Sequence, residues 1–488
     1  MAERKTRVPG FVGPTASPRA PRFQCERTIN FYLELSSTGE GKEKEVACLI
    51  SVPGLKKLQD FGPYPIRALY TLSTNSGFIV VCGPRVLYLT SSIGTAVELG
   101  FIGSMYGKVS IADNGTQALL VDGQNGYYFN LLNPTALYQV SDPNFYPADL
   151  VTYQDGYFIL NKKGTGYFFW SDIFSVDFPS LNTAGKLGAP DPVAAAYSFN
   201  RQIWLFGTKT TEAWFNSGSS GITPFERLDG RFTQVGCIAW GSIASVHDTL
   251  FWLGSNAQGG AVVYQLEGSN SVRVSTPSLE YALQSLPNLE KAEAFAYQEE
   301  GHLFYVLNAD PKTTWTYDVA TKQWTERQSQ EAGINGRYLG QVHCSFNEEH
   351  LIGDYKTGNL YKLDFDTFTD NGEPRLKLRQ APHISEELNT LFVSLLEVDA
   401  QFGVGLPENG INTPADIEPH LILEVSRDGG QTFGHAMRAS LGKVGRYLTR
   451  ARFSRLGRGR DLVFRVSCTD SVALTLLGAH IGLEVGNG

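Results

Sequence analysis

Long apolar runs are missing from this chain. No stretch approaches the ~20 residues that a membrane-spanning helix needs. The basic, Pro/Gly-rich N-terminus (Met1–Phe23) has no apolar core of the kind a secretory signal carries. Both absences predict a soluble protein made in a cytoplasm. Cysteine is scarce and scattered. Cys25, Cys48, Cys82, Cys237, Cys344 and Cys468 form no CxxC pair, which leaves neither a zinc ribbon nor a disulfide framework. Reduced, mostly buried thiols are expected instead. The histidines are dispersed, with no HxH or HExxH; His302 stands alone, and His343 and His350 are separated by a turn. There is no G-x-S-x-G elbow, and Gly164-Thr165-Gly166 and Gly457-Arg458-Gly459 are too short for phosphate loops. The sequence therefore assigns no catalytic residue, no metal and no cofactor. Charge is also thin, at 18%, and the net −8 excludes wholesale coating of nucleic acid.

What the chain does have is aromatic residues, at 12%, and 51 glycines, a mixture suited to an all-β protein with many tight turns. One phrase recurs. An apolar strand, closed by Gly or a polar turn, is followed by a second aromatic strand. The first strands start near Gly77, Gln117, Gly156, Arg201, Asp248, Gly301 and Glu349, spaced 39 to 53 residues apart. Several strands per unit at that period predict a β-propeller of six or seven blades. Third strands are expected at Ala136–Val140, Ser271–Ser275 and Gln323–Arg327, and one short helix at Pro277–Leu286 with Ser278 as its cap. The propeller is expected over 61–380. Residues 1–60 read as a proline-rich extended arm (to about 24) and two strands that pack on the C-terminal part.

From Pro382 the repeat stops, and 381–488 reads as a separate antiparallel β domain. Its strands are expected at Leu391–Phe402, His420–Ser426, Tyr447–Arg455 and Leu462–Ser467, with Val472–Leu477 as a further candidate. Within it, Ser426, Asp428, Gly430, Thr432 and Phe433 match an Asp-box, whose physical task is a hairpin turn rather than catalysis. The span 438–465 holds eight arginines, one lysine and one aspartate, a local net of +8, so the remainder of the chain carries −16. Alternation places Arg450 and Arg452 on one strand face and opposes Arg465 to Leu462, Phe464 and Val466, which reads as a sheet with one arginine face. Three uses of Arg446, Arg450, Arg452, Arg455, Arg458, Arg460 and Arg465 stand open: a subunit or adaptor interface, which is favoured, a nucleic-acid contact, and a plain solvated face.

Two sets of motifs go beyond a generic propeller. Arg27-Thr28-Ile29-Asn30-Phe31-Tyr32-Leu33-Glu34 is followed by Leu49–Leu55, ending in Pro53-Gly54-Leu55. Later come Leu423–Phe433, Leu441–Tyr447, Arg450–Gly457 and Arg460–Ser471, in that order. Together they resemble the opening and closing patterns of the packaged-DNA stabilisation proteins, the tail hub or nozzle of short-tailed phages (podoviruses). Phe433 and Phe453 stand where that family usually has Trp, and Ser471 where it usually has Pro. The resemblance implies a structural virion protein assembled in the host cytoplasm. It implies a homohexameric ring below the portal and its adaptor, tail fibre or spike and needle or plug proteins as neighbours, and genomic DNA passing through the lumen without sequence-specific binding. The alternative is a glycan-binding or sialidase-like propeller, suggested by the Asp-box and by Trp170, Trp204, Trp214, Trp252 and Trp315.

Overall fold

The computed structural model describes residues 5–16, 20, 22–36, 47–219, 223–256, 259–387, 389–409 and 412–486. All seven repeats become blades. Each first strand pairs antiparallel with the second strand of its unit, as in Phe78–Cys82 with Arg85–Leu89 and Gln202–Gly207 with Thr211–Asn216. An inner strand precedes each pair and, in blades one to six, an outer strand follows it, giving units such as Ile66–Thr71, Phe78–Cys82, Arg85–Leu89 and Val97–Phe101 in blade one. Side chains alternate across each pleat, so both faces of a blade bury against neighbours. Apolar clusters fill the space between successive blades, from blades one and two round to blades seven and one. The helix is Pro277–Gln284. Its cap is Thr276, which accepts from Leu279 N–H, and not Ser278, because Pro277 takes the first helical position.

The seventh blade is finished by a strand from the other end of the chain. Its inner strand Gly340–Phe346 pairs with Glu349–Asp354, which pairs with Asn359–Asp364, and the outer place goes to Gly54–Asp60. Residues 54–60, expected with the N-terminal segment, are therefore propeller by hydrogen bonding. Joining the first and last strands in one blade closes the ring without leaving a long free edge.

The remaining strands make a two-sheet sandwich. One sheet runs in the order Phe31–Leu35, Ala47–Ser51, Thr475–Val485, Leu391–Ala400, Ala451–Gly459, and Lys5–Arg7 also pairs with Thr475–Val485. The other holds Lys377–Gln380, Val463–Cys468, His420–Ser426 and Met437–Ser440. Between them lies one core containing Phe31, Leu396, Phe453, Phe464 and Ile481. The last strand is longer and later than the expected Val472–Leu477, and the edge strand is Ala451–Gly459 rather than Tyr447–Arg455.

Blade six and the second sheet are continuous. Arg27–Ile29 pairs parallel with the outer strand Gln323–Glu331 and antiparallel with Lys377–Gln380. The Arg27-Thr28-Ile29-Asn30 motif is this joint. The Arg27 guanidinium forks onto Glu326 at 3.0 and 2.6 Å, and the Asn30 side chain donates to Gln328 O and Leu376 O. Asn30 takes φ 58, a left-handed value that Asn tolerates better than most residues.

Over its described residues 5–16 the arm is not extended away from the molecule. Val8 and Phe11 are buried in the sandwich core. His302 does not stand alone either: its Nδ1 meets Asp318 at 2.9 Å and its Nε2 meets Glu34 at 2.8 Å, linking blade six to the sandwich strand Phe31–Leu35. The Asp318 bond, opposed by desolvation and aided by Glu34, pushes His302 up to about 9. A histidine raised above its unfolded value stabilises the fold fully below about pH 6.5 and loses that contribution as pH rises through the folded value. The difference in urea midpoint between the parent chain and His302→Gln is therefore expected to be largest near pH 6 and to shrink to a pH-independent remainder once pH has risen past the folded value of about 9.

Candidate interaction surfaces

One side chain reaches across the propeller ring. Lys108, just before the inner strand of blade two, donates from Nζ to Gly241 O at 2.7 Å in blade five and to Ala294 O at 3.3 Å in blade six. Withdrawal from water lowers its ammonium and raises the nearby Glu293 carboxyl. Arg67, in the inner strand of blade one, gathers the carbonyls of Gly83, Ser104, Tyr106 and Gly107 and so pins the connection to blade two. Among the described residues no group of three or more His, Cys, Asp or Glu could hold a metal ion. Trp170, Trp204, Trp214, Trp252 and Trp315 are all buried, so they fill blades and present no face on which a sugar ring could stack.

The Asp-box residues form the turn after His420–Ser426. Asp428 accepts from Gln431 N–H, Thr432 N–H and the Thr432 hydroxyl, and Ser426 Oγ accepts from Gly430 N–H. Gly429 and Gly430 take φ 73 and 83, where a side chain would be strained. The hydroxyl and amide donors hold the Asp428 carboxyl well below the usual carboxylate range. Phe433 stays outside the core. Arg465 lies over its ring at 3.7 Å and pairs with Glu424 at 2.9 Å.

The arginines do not share one face. Ala451–Gly459 belongs to one sheet and Val463–Cys468 to the other, so Arg452 and Arg465 point from opposite sides of the sandwich. Strand alternation reports which residues oppose one another within a strand; it does not report which sheet the strand joins. Arg452, Arg455 and Arg458 are exposed on the free edge strand, Arg460 follows it, and Arg446 and Arg450 lie in the loop before it. Glu397 takes Lys5 at 2.8 Å, Arg452 at 3.2 Å and Arg450 at 3.8 Å. Partial burial opposes ionisation of Glu397, but these cations outweigh it and hold the carboxyl below its usual range. Arg446, Arg455, Arg458 and Arg460 make no ion pair among the described residues. Charges along a free edge also discourage indiscriminate strand pairing.

The chain matches a family model described as bacteriophage P22 Gp10, beta-propeller, over residues 35–368. A second model, bacteriophage P22 Gp10, beta-sandwich, matches residues 378–484. No curated protein matches. Among solved structures, the N-terminal domain of Nup159 is 10% identical, with 69% of this chain and 98% of that one covered at a TM-score of 0.41. The computationally designed Ika8 protein is 11% identical, with 64% and 99% covered at a TM-score of 0.37.

Proposed function

This chain belongs to the bacteriophage P22 Gp10 family of packaged-DNA stabilisation (tail hub) proteins, and from that premise we propose that it is one subunit of a homohexameric ring in the tail. The ring prolongs the channel of the portal and its adaptor and retains the packaged genome until ejection. Tail fibre or spike and needle or plug proteins attach around or beneath it, and the parts assemble in the host cytoplasm. Its role is structural and not catalytic.

The observation that carries this reading is the closed axis. Lys108 reaches from blade two to blades five and six, so a duplex has no passage through the propeller itself. A conduit built from this chain has to lie between copies, and that calls for a ring. The overall net of −8 supports a lumen along which DNA slides, since each phosphate neutralised by Lys or Arg releases counterions and tightens the hold. Arg446, Arg450, Arg452, Arg455, Arg458, Arg460 and Arg465 then serve contacts with subunits or the adaptor.

Imaging of assembled tails at side-chain resolution tests this. The expected result is a closed ring of copies with these arginines outside the lumen. A single copy per tail, or the arginines lining an open channel, would overturn it.

A further inference from the structure

The surface of the propeller is uneven. Of the 21 large apolar side chains exposed among the described residues, twelve lie between Ile93 and Leu187, and only Tyr281 and Ile334 lie between Gly188 and Asp370. Blades one to three therefore carry most of the propeller's exposed apolar surface, a pattern that marks a contact site. The same span, 93–187, holds eight acids and four lysines, a net of −4, and no arginine.

The piece that sets exposed apolar residues beside exposed acids without an ion-pair partner among the described residues is the loop between the last two strands of blade three. Ile173, Phe174 and Leu181 are 54%, 63% and 69% exposed, and Asp172 and Asp177 are exposed beside them. Neither aspartate has an ion-pair partner among the described residues. Phe174 has φ 56, costly for a bulky residue, and its N–H is held by Gly156 O at 2.7 Å. Ile173 packs over the turn at Gly156, where a Cβ would come within 2.7 Å of it.

The opposite end of the molecule carries the complement. The loop before the arginine edge strand has Val444, Tyr447 and Leu448 at 58%, 72% and 96% exposure, with Arg446 and Arg450 among them. That edge strand is four strands from Phe31–Leu35, which touches blade six, a distance of about 19 Å at ordinary strand spacing. In a ring of seven blades, blades two and three are the farthest from blade six. One mixed apolar and acidic patch and one mixed apolar and basic patch thus lie at opposite ends of a single chain, the arrangement that a head-to-tail contact needs.

We propose that the loop 443–450 of one copy docks on the blade-three loop 172–181 of the next copy. This rests on the ring reading above and names the two faces that meet.

Two charge-swapped variants test it, Asp172→Arg/Asp177→Arg and Arg446→Asp/Arg450→Asp. All four positions are exposed, and unchanged thermal unfolding of each variant shows that the fold is intact. Mass photometry is expected to show self-association weakened about a hundredfold or more in each variant, because like charges then face each other. Mixing the two variants is expected to restore the closed assembly, since both contacts become complementary again. If both variants assemble as the parent does, this contact is wrong and the ring reading stands. If rings persist but the blade-three variant no longer enters tails, the patch serves a different tail protein and the proposal falls. If the parent chain forms no ring in tails, the ring reading fails and this contact with it.

Discussion

Arg379→Met is expected to lower stability by about 3–5 kcal/mol, the cost of breaking a buried charged network. The guanidinium is buried, and the N-terminal arm is wound around it. Nε donates to Phe11 O at 2.6 Å and Nη2 to Gly10 O at 2.8 Å. Nη1 serves Gly13 O, Pro14 O and the Thr28 hydroxyl at 3.1, 2.9 and 2.7 Å. Methionine fills much of the volume but takes the donor from Phe11 O, Gly10 O and Pro14 O, while Gly13 O keeps the Thr28 hydroxyl. Arg379→Lys is expected to recover only part of the loss, because an ammonium offers its donors from one point while the acceptors fan around a plane. Urea unfolding measures the loss, and limited proteolysis is expected to cut first in residues 8–16. A midpoint within experimental error of the parent would show that the arm is held by its apolar residues alone.

Gly54→Ala is expected to cost about 2–3 kcal/mol, at the upper end of what one added methyl group does in a packed core. A Cβ there would overlap Thr367 O and stand 2.6 Å from Thr369 O. Both are backbone atoms, so no side-chain rotation relieves the clash. The glycine of Pro53-Gly54-Leu55 is thus required where the closing strand slips between Asn359–Asp364 and the chain at 367–370. Moving that strand would also loosen Leu55, fully buried beside Tyr361 and Val52. The control is Gly62→Ala, also a glycine near the closing strand, where nothing lies within 4 Å of the added atom. Its positive φ makes it a test of backbone strain without crowding. A Gly54→Ala chain as stable as the parent would mean that the 367–370 segment yields freely.

The repeats were legible because each blade is made locally. Aromatic strands such as Gln202–Gly207 and Thr249–Asn256 declare themselves by the short turns around them and by their apolar, β-branched and aromatic content, and their tryptophans turn out to be core. The seventh blade could not be completed from the repeat, because its outer strand comes from near the start of the chain. The joint was hidden for a different reason. Arg375-Leu376-Lys377-Leu378-Arg379-Gln380 alternates like a half-exposed strand, which invites leucine inward and cation outward. Instead Arg375, Lys377 and Arg379 are each buried to 1% exposure or less. Arg375 donates to Val52 O and Pro53 O, and Lys377 to Asp470 O and Val472 O. Carbonyls supplied by distant chain segments satisfy them, and nothing local in the sequence announces such partners. The edge strand was misplaced because it is bulged. Ser454 pairs with Leu395 and Gly457 with Val393, so two residues oppose one, and Arg455 takes φ 61. That breaks the period-two count by which strand ends are recognised.

The pairing of Phe31–Leu35 and Lys5–Arg7 into a sheet built on Thr475–Val485 has a consequence for biosynthesis. At about 5–20 residues per second, a ribosome needs roughly 20 to 90 s to deliver the final strand after the first segment has emerged. For that interval Val8, Phe11 and Phe31 have no core to enter. A prematurely terminated product can never shelter them, so truncated chains carry an exposed apolar flag at their beginning that only a finished translation removes.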